Sequence, residues 1–169
     1  MIDGSESAPF WLLDGGMRTI VNLRELKDIL NERNISVQEF FTQGACWAYT
    51  FAMARKLRCA CFRTVEGPSH AWIEQTSKCY DIQCDGVSRV ELLTRFLNGP
   101  YGSEKASQEA KRLAMNACSI PLVELKGHYK TRRSSRADEI DIRWELAVEL
   151  AEDVIAAYVR RGTYQSIEA

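Results

Sequence analysis

One short stretch organises this chain, Gly44-Ala45-Cys46-Trp47-Ala48-Tyr49. Over residues 46 to 55 apolar side chains occur on every side of a helical wheel, which predicts a helix buried all round. Gly44 lets the chain turn into that helix, so the Cys46 thiol is expected at or near the helix N-terminus. Unpaired N–H groups and the positive end of the helix dipole there favour thiolate over thiol, the state that a nucleophilic cysteine requires.

Partners for such a thiol follow along the chain. His70 opens a strand-like run, and Asp81 follows in the next one. The chain has only two histidines, so a histidine here, in the order Cys, His, Asp, is informative. Imidazole takes the thiol proton and a carboxylate fixes the imidazole tautomer. We therefore predict Cys46 as nucleophile, His70 as base and Asp81 as the orienting group.

Three motifs occur in order along the chain: Gly44-x-Cys46-Trp47, His70-x-Trp72-x-Glu74 and Tyr80-Asp81. Together they resemble the core of the transglutaminase-like branch of the papain-like superfamily, and the likeness covers roughly residues 40 to 90. The spacing from Cys46 to His70 is short for that family, which implies a minimal core, and residues 100 to 169 resemble no family. The resemblance implies an α+β fold in which a central helix bearing the cysteine packs on a small antiparallel sheet, with extra C-terminal helices.

The resemblance also suggests an oxyanion site. The backbone N–H of Cys46 is one expected donor. Papain-like enzymes use a glutamine upstream of the nucleophile as a donor, and Gln43 stands three residues before Cys46. Gln43 or the indole N–H of Trp47 is therefore the candidate second donor. Considered alone, Trp47 and Trp72 are more typical of core aromatics.

The expected function is that of a thiol hydrolase, a cysteine protease or amidase that forms a thioester with a protein or peptide amide. Water or an amine can resolve that thioester, so a glutamine deamidase or a transglutaminase-type bacterial effector or toxin is the first alternative. A catalytically silent papain-like binding module is the second, and a zinc-stabilised interaction domain is the third. His128, in a basic stretch, is expected at the surface, and a role as the base in place of His70 is a competing hypothesis.

Composition is ordinary for one globular domain: 169 residues, 46% hydrophobic, 27% charged and net charge −1. We expect a single domain over residues 1 to 169, with a core at about 22 to 98 and a helical extension at about 103 to 162. The charge predicts no nucleic-acid partner, and no membrane segment or signal peptide is recognisable. The expected location is a cytoplasm, or a host cell that receives the protein without a cleavable signal. The oligomeric state stays open.

Six cysteines are present, and without a secretory signal a disulfide framework is not expected. The pairs Cys59-x-Cys61 and Cys79-x4-Cys84 fit structural zinc spacings poorly, so we predict no metal and no cofactor. All five cysteines apart from Cys46, including Cys118, are expected to be small buried hydrophobes.

Periodicity and capping signals predict the remaining elements. A turn-rich arm over residues 1 to 20 is expected to be held by its aromatic side chains, and residues 126 to 136 are expected to form an exposed basic loop. Further helices are predicted at 23–33, 36–41, 89–97, 104–118 and 138–161, and strands at 58–66, 69–76, 79–83 and 121–125.

Overall fold

The structure is a computed structural model, and it describes residues 18–130, 132–135 and 138–167. It is an α+β fold with a small antiparallel sheet and several helices. The helices are α1 (Leu23–Glu32), α2 (Val37–Thr42), α3 (Cys46–Leu57), α4 (Arg89–Tyr101), α5 (Ser103–Asn116), α6 (Leu125–His128) and α7 (Trp144–Arg160). The strands are β1 (Arg18–Thr19), β2 (Ala60–Arg63), β3 (Ala71–Gln75), β4 (Lys78–Tyr80), β5 (Asp85–Val87), β6 (Cys118–Ile120), β7 (Arg132–Ser135) and β8 (Asp138–Asp141).

Three helices begin where the sequence predicts a cap. The side chains of Asn22, Ser36 and Ser88 each accept a hydrogen bond from the backbone N–H three residues later, at 2.8 to 3.1 Å. Each bond satisfies one of the N–H groups that a helix start leaves unpaired. The predicted starts of α1, α2 and α4 are confirmed.

The larger sheet has the strand order β5-β4-β3-β2-β6 with antiparallel pairing throughout. The strands predicted at 58–66, 69–76 and 79–83 correspond to β2, β3 and β4, and their antiparallel arrangement is confirmed. Phe62 pairs with Trp72, and Ile73 pairs with Tyr80, which fixes the register of these three strands. A second, three-stranded sheet has the order β1-β8-β7.

Helix α3 lies at the centre of the core, because it packs against β3 and β2 and also against α7. Most of its residues are buried, on all sides of the helix, as the sequence predicts. The same cluster takes in Ala71 and Ile73 of β3 and Ala147 and Ala151 of α7. The α3 helix is therefore held between the sheet and the C-terminal helix.

The other face of the sheet is covered by the α4–α5 pair. Trp72 and Cys79 point to this side and are buried with Leu92, Leu97 and Ala110. Alternate residues of β3 thus enter two different clusters, as the period of two in a strand requires. The strand that follows His70 is consequently buried on both faces.

Two predicted helix ends and one predicted strand in this region are wrong. Helix α4 continues beyond its predicted end at residue 97 to Tyr101, and Gly102, which has φ +77°, ends it. Cys118 lies in β6, at the edge of the sheet, and it is exposed. The predicted strand at 121–125 lies one element too late, because Pro121 has no N–H to extend the ladder and the chain forms a 3-10 turn at Leu122–Glu124.

The C-terminal region also differs from its prediction. The expected long helix at 138–161 is β8 followed by α7, and the expected basic loop at 126–136 contains the end of α6 and the strand β7. Residues 139 to 142 alternate polar and apolar side chains, which is a strand pattern. The extension at 103–162 is therefore mixed rather than purely helical. The predicted aromatic arm at 1–20 lies almost wholly outside the described residues.

No helix in the described part of the chain is both long enough and apolar enough to cross a membrane.

Candidate active site

Cys46 is the first residue of α3, as predicted. Gly44 turns the chain there with φ +105°, a backbone conformation that other residues rarely adopt. Ala45 occupies the cap position and supplies no side-chain hydrogen bond to the helix start. The N–H groups of the first turn and the positive end of the helix dipole are therefore close to the Cys46 side chain, which is buried.

His70 lies immediately before β3 and is 0% exposed. Its backbone is held by one residue, Thr64. The Thr64 hydroxyl accepts a hydrogen bond from the His70 N–H at 3.0 Å, and the Thr64 N–H donates to the His70 carbonyl at 3.0 Å. The Thr64 hydroxyl in turn donates to the Pro68 carbonyl at 3.0 Å. This network fixes the direction in which the imidazole leaves the chain.

Asp81 follows directly after β4 and contacts the imidazole. Its Oδ2 lies 2.8 Å from Nε2 of His70, and both side chains are buried. Its Oδ1 accepts the backbone N–H groups of Gln83 and Cys84, each at 2.8 Å. A buried carboxylate with three hydrogen bonds is fully oriented, so Asp81 presents one oxygen to the histidine ring.

The Cys46 side chain lies close to the imidazole of His70. Because Nε2 is bonded to Asp81, Nδ1 is the ring nitrogen that remains available to another partner. Nδ1 is buried and has no hydrogen bond of normal geometry to the described residues, although the Cys46 side chain is close enough to perturb the imidazole. The two groups are thus neighbours without a closed hydrogen bond. Catalytic hydrogen bonds are often long before substrate binds and tighten in the complex.

The histidine is held in its charged form. Burial by itself lowers the pKa of His70, but the Asp81 hydrogen bond and the Cys46 side chain outweigh burial and raise it to about 9. Phe96 of α4 stacks on the ring, with centroids 4.1 Å apart and planes 13° from parallel. An imidazolium between two acidic groups, sealed on one face by an aromatic ring, can stabilise a thiolate at neutral pH.

A cleft of about 690 Å³ lies beside these residues. Gln43 and Gly44 line it just before Cys46, and Ser69 lines it just before His70. Gln83, two residues after Asp81, and Phe96, which stacks on His70, also line it. The chain neighbours of all three predicted catalytic residues therefore meet at one concave surface.

The two oxyanion candidates have different surroundings. Gln43 follows α2 and lines the cleft. Trp47 is buried and stacks on His128, with ring centroids 4.6 Å apart, and it does not line the cleft. His128 is exposed at the end of α6, and the hydrogen bond to the Asp81 carboxylate is made by His70.

Comparison with protein-family models, with characterised proteins and with solved structures found no match to this chain.

The other cysteines are not arranged for a metal. Among the described residues there is no group of three or more His, Cys, Asp or Glu side chains that could hold a metal ion. Burial is the first cause that raises the pKa of Cys61 to about 11 and of Cys84 to about 12, so both stay protonated at neutral pH.

The sequence did not reveal several residues that hold the site. Thr64 and Phe96 belong to no motif: Thr64 bonds His70 across a six-residue turn, and Phe96 contacts the imidazole from α4. Tyr164 lies 83 positions after Asp81, and its hydroxyl donates to the Asp81 carbonyl at 2.8 Å. The Tyr164 hydroxyl also lies 2.8 Å from the hydroxyl of Tyr49 on α3. Burial raises the pKa of both phenols, so both remain neutral hydrogen-bond donors.

Proposed function

We propose that this protein is a thiol hydrolase that uses Cys46, His70 and Asp81 to form a thioester with the acyl group of a protein or peptide amide. The buried His70 carries this proposal, because its Nε2 is held by Asp81 at 2.8 Å while its Nδ1 is left for a thiol at a helix start. A structural histidine in a protein core would be expected to have both ring nitrogens paired.

The reaction follows from these positions. The Cys46 thiolate attacks the carbonyl carbon of the amide, and the carbonyl π electrons move to oxygen. The His70 imidazolium gives its Nδ1 proton to the departing nitrogen as the C–N bond breaks, which leaves a thioester and a neutral amine. Neutral His70 then takes a proton from water, the hydroxide attacks the thioester, and the Cys46 thiolate leaves. Asp81 keeps the Nε2 proton in place throughout.

The developing oxyanion needs hydrogen-bond donors. The Cys46 backbone N–H at the start of α3 is the first candidate, and the Gln43 side chain in the cleft is the second. Trp47 is the weaker candidate, because its ring packs against His128 away from the lining of the cleft.

A papain-like or transglutaminase-like fold is part of the same proposal. It is supported by the order Cys, His, Asp, by the central helix that begins at Cys46, and by the antiparallel sheet that follows it. His70 and Asp81 lie at the ends of neighbouring strands, β3 and β4, which is how one short hairpin brings base and carboxylate together.

The test is the pH dependence of alkylation by iodoacetamide, read at each of the six cysteines by mass spectrometry. We expect Cys46 to react fast well below the pKa of about 8.5 of a free thiol and to lose this behaviour in His70→Ala. His128→Ala is the matched control, because it removes the other histidine of the chain. A Cys46 that reacts like Cys118, or that depends on His128 in place of His70, contradicts the proposal and leaves the binding-module alternative.

Product analysis then separates the reactions that share this triad. Incubation with a mixture of unfolded proteins and a labelled primary amine distinguishes peptide cleavage, glutamine deamidation and amine incorporation. We expect cleavage or amide hydrolysis that is absent in Cys46→Ala. Amine incorporation as the main product would replace the hydrolase by the transglutaminase-type alternative.

A further inference from the structure

The catalytic proposal leaves a buried polar atom of the cleft without a role. The Oε1 atom of Gln83 is buried and accepts no hydrogen bond from the described residues, and Gln83 lines the cleft. A buried carbonyl oxygen without a donor is destabilising, and native proteins rarely leave one unless a ligand completes it. The free acceptor therefore indicates what the cleft binds.

The rest of Gln83 is fixed. Its N–H donates to Oδ1 of Asp81 at 2.8 Å, and its carbonyl accepts from Nη1 of Arg95 at 3.4 Å. The Gln83 side chain thus starts from a backbone that is bonded to the same carboxylate that holds His70. Its position relative to the proposed triad is set by the fold, which suits a group that orients a substrate.

We propose that Oε1 of Gln83 accepts the N–H of the amide whose carbonyl carbon Cys46 attacks, so that the cleft favours amides over esters and thioesters. This inference rests on the proposed hydrolase function and names its substrate class more narrowly. An amide nitrogen offers a donor to the free oxygen, whereas an ester or thioester oxygen or sulfur offers none. With its N–H held by Gln83, the nitrogen keeps its developing lone pair for the proton that His70 delivers.

The test uses two alkylating reagents of similar shape, iodoacetamide, which has amide N–H groups, and methyl iodoacetate, which has none. The rate constant at Cys46 for each reagent is divided by that for glutathione, which removes the difference in intrinsic reactivity. In the wild-type protein we expect the corrected ratio to favour iodoacetamide by on the order of tenfold, the effect of one hydrogen bond.

Three variants make the test specific. Gln83→Leu removes the acceptor, and the corrected ratio is expected to fall to about one. Gln83→Glu keeps an acceptor oxygen, and the preference for iodoacetamide is expected to persist. Gln108→Leu, an exposed glutamine on α5 outside the lining of the cleft, is expected to behave like the wild type. Thermal unfolding verifies that each variant is folded.

The outcomes separate this inference from the proposal beneath it. Suppose that Cys46 reacts fast in a His70-dependent way, but that the corrected ratio of the two rate constants is about one in both the wild type and Gln83→Leu. The role of Gln83 is then overturned, and the proposed triad is unaffected. Loss of the preference in Gln108→Leu as much as in Gln83→Leu also overturns it. If Cys46 is no faster than a free thiol with either reagent, the triad fails and this inference fails with it.

Discussion

If Cys46, His70 and Asp81 act as proposed, replacing Asp81 by asparagine should remove the activation of the Cys46 thiol. The amide can keep its oxygen toward the N–H groups of Gln83 and Cys84, which bond Oδ1 in the wild type. The NH2 group of the asparagine then faces Nε2 of His70, at the position where the carboxylate of Asp81 accepts the Nε2 hydrogen bond in the wild type. Nε2 must become the acceptor, so the neutral ring carries its proton on Nδ1 and has no free nitrogen to take the proton of Cys46.

The size of the effect follows from the pKa of His70. The pKa is about 9, and Asp81 is the largest contribution that raises it against burial. Without the carboxylate, the largest contribution that opposes burial is lost, so the pKa falls toward the ordinary 6.5. At pH 7.5 the protonated fraction of the imidazole is about 97% at a pKa of 9 and about 9% at a pKa of 6.5. A return of the pKa to 6.5 therefore lowers the alkylation rate of Cys46 at this pH about tenfold.

The assay is the rate of iodoacetamide alkylation at Cys46 from pH 5 upward, by mass spectrometry of quenched samples. In Asp81→Asn the rise in rate should move to about pH 8.5 or above, the range of a free thiol. Asp85→Asn is the matched control, because it removes an exposed carboxylate four residues away that bonds the Tyr164 N–H. Superimposable pH profiles for wild type and a folded Asp81→Asn, or equal losses in both variants, would refute the reasoning.

Three further predictions concern stability. The raised pKa of His70 contributes stability that is complete below pH 6.5 and is lost as pH rises through about 9, and a shift of that size is worth about 3 kcal/mol. The unfolding free energy from urea titrations should therefore fall less over this pH range in His70→Gln than in the wild type. An equal fall in both proteins would count against this prediction. Thr64→Val leaves the buried His70 N–H unpaired and should lower the urea unfolding free energy by about 1–3 kcal/mol; unchanged stability would show that the bond is not needed. Tyr164→Phe removes the donor to the Asp81 carbonyl, so it should lower the thermal unfolding midpoint and slow the alkylation of Cys46. Tyr158→Phe, which changes a partly buried phenol nearby, should do neither. Equal effects of the two substitutions would argue against a specific role of the Tyr164 hydrogen bond.

Much of the fold could be predicted from local signals in the sequence. Helix caps at Asn22, Ser36 and Ser88 depend on residues three positions apart, so they can be predicted without any knowledge of tertiary contacts. The order of Cys46, His70 and Asp81, with a hairpin between the last two, likewise predicted that they meet. The structure brings His70 and Asp81 to 2.8 Å.

Long-range contacts explain what the sequence did not reveal. Cys118 has the composition of a buried residue, but it lies on the edge strand of the sheet and faces solvent. Residues 138 to 141 pair with β7 and β1, although the acidic residues at this point predict the start of a helix. The charge pattern expected of a helix N-terminus obscures the short alternating pattern of a strand. Gln83 gave no local signal, since an unpaired acceptor can be recognised only when its surroundings are known.

The bond between Tyr164 and the Asp81 carbonyl ties the formation of the site to the order in which the chain folds. Helix α3 and the β3–β4 hairpin can form from segments close in sequence, whereas this bond closes a loop across 83 positions. Closing a loop of that length carries an entropic cost, so contacts of this kind tend to form late. A nascent or partly unfolded chain would therefore hold its cysteine, histidine and aspartate near one another before the backbone of Asp81 is fixed in place. A reactive thiolate would then be a property of the completed fold, delayed until the segment around Tyr164 has returned to the core.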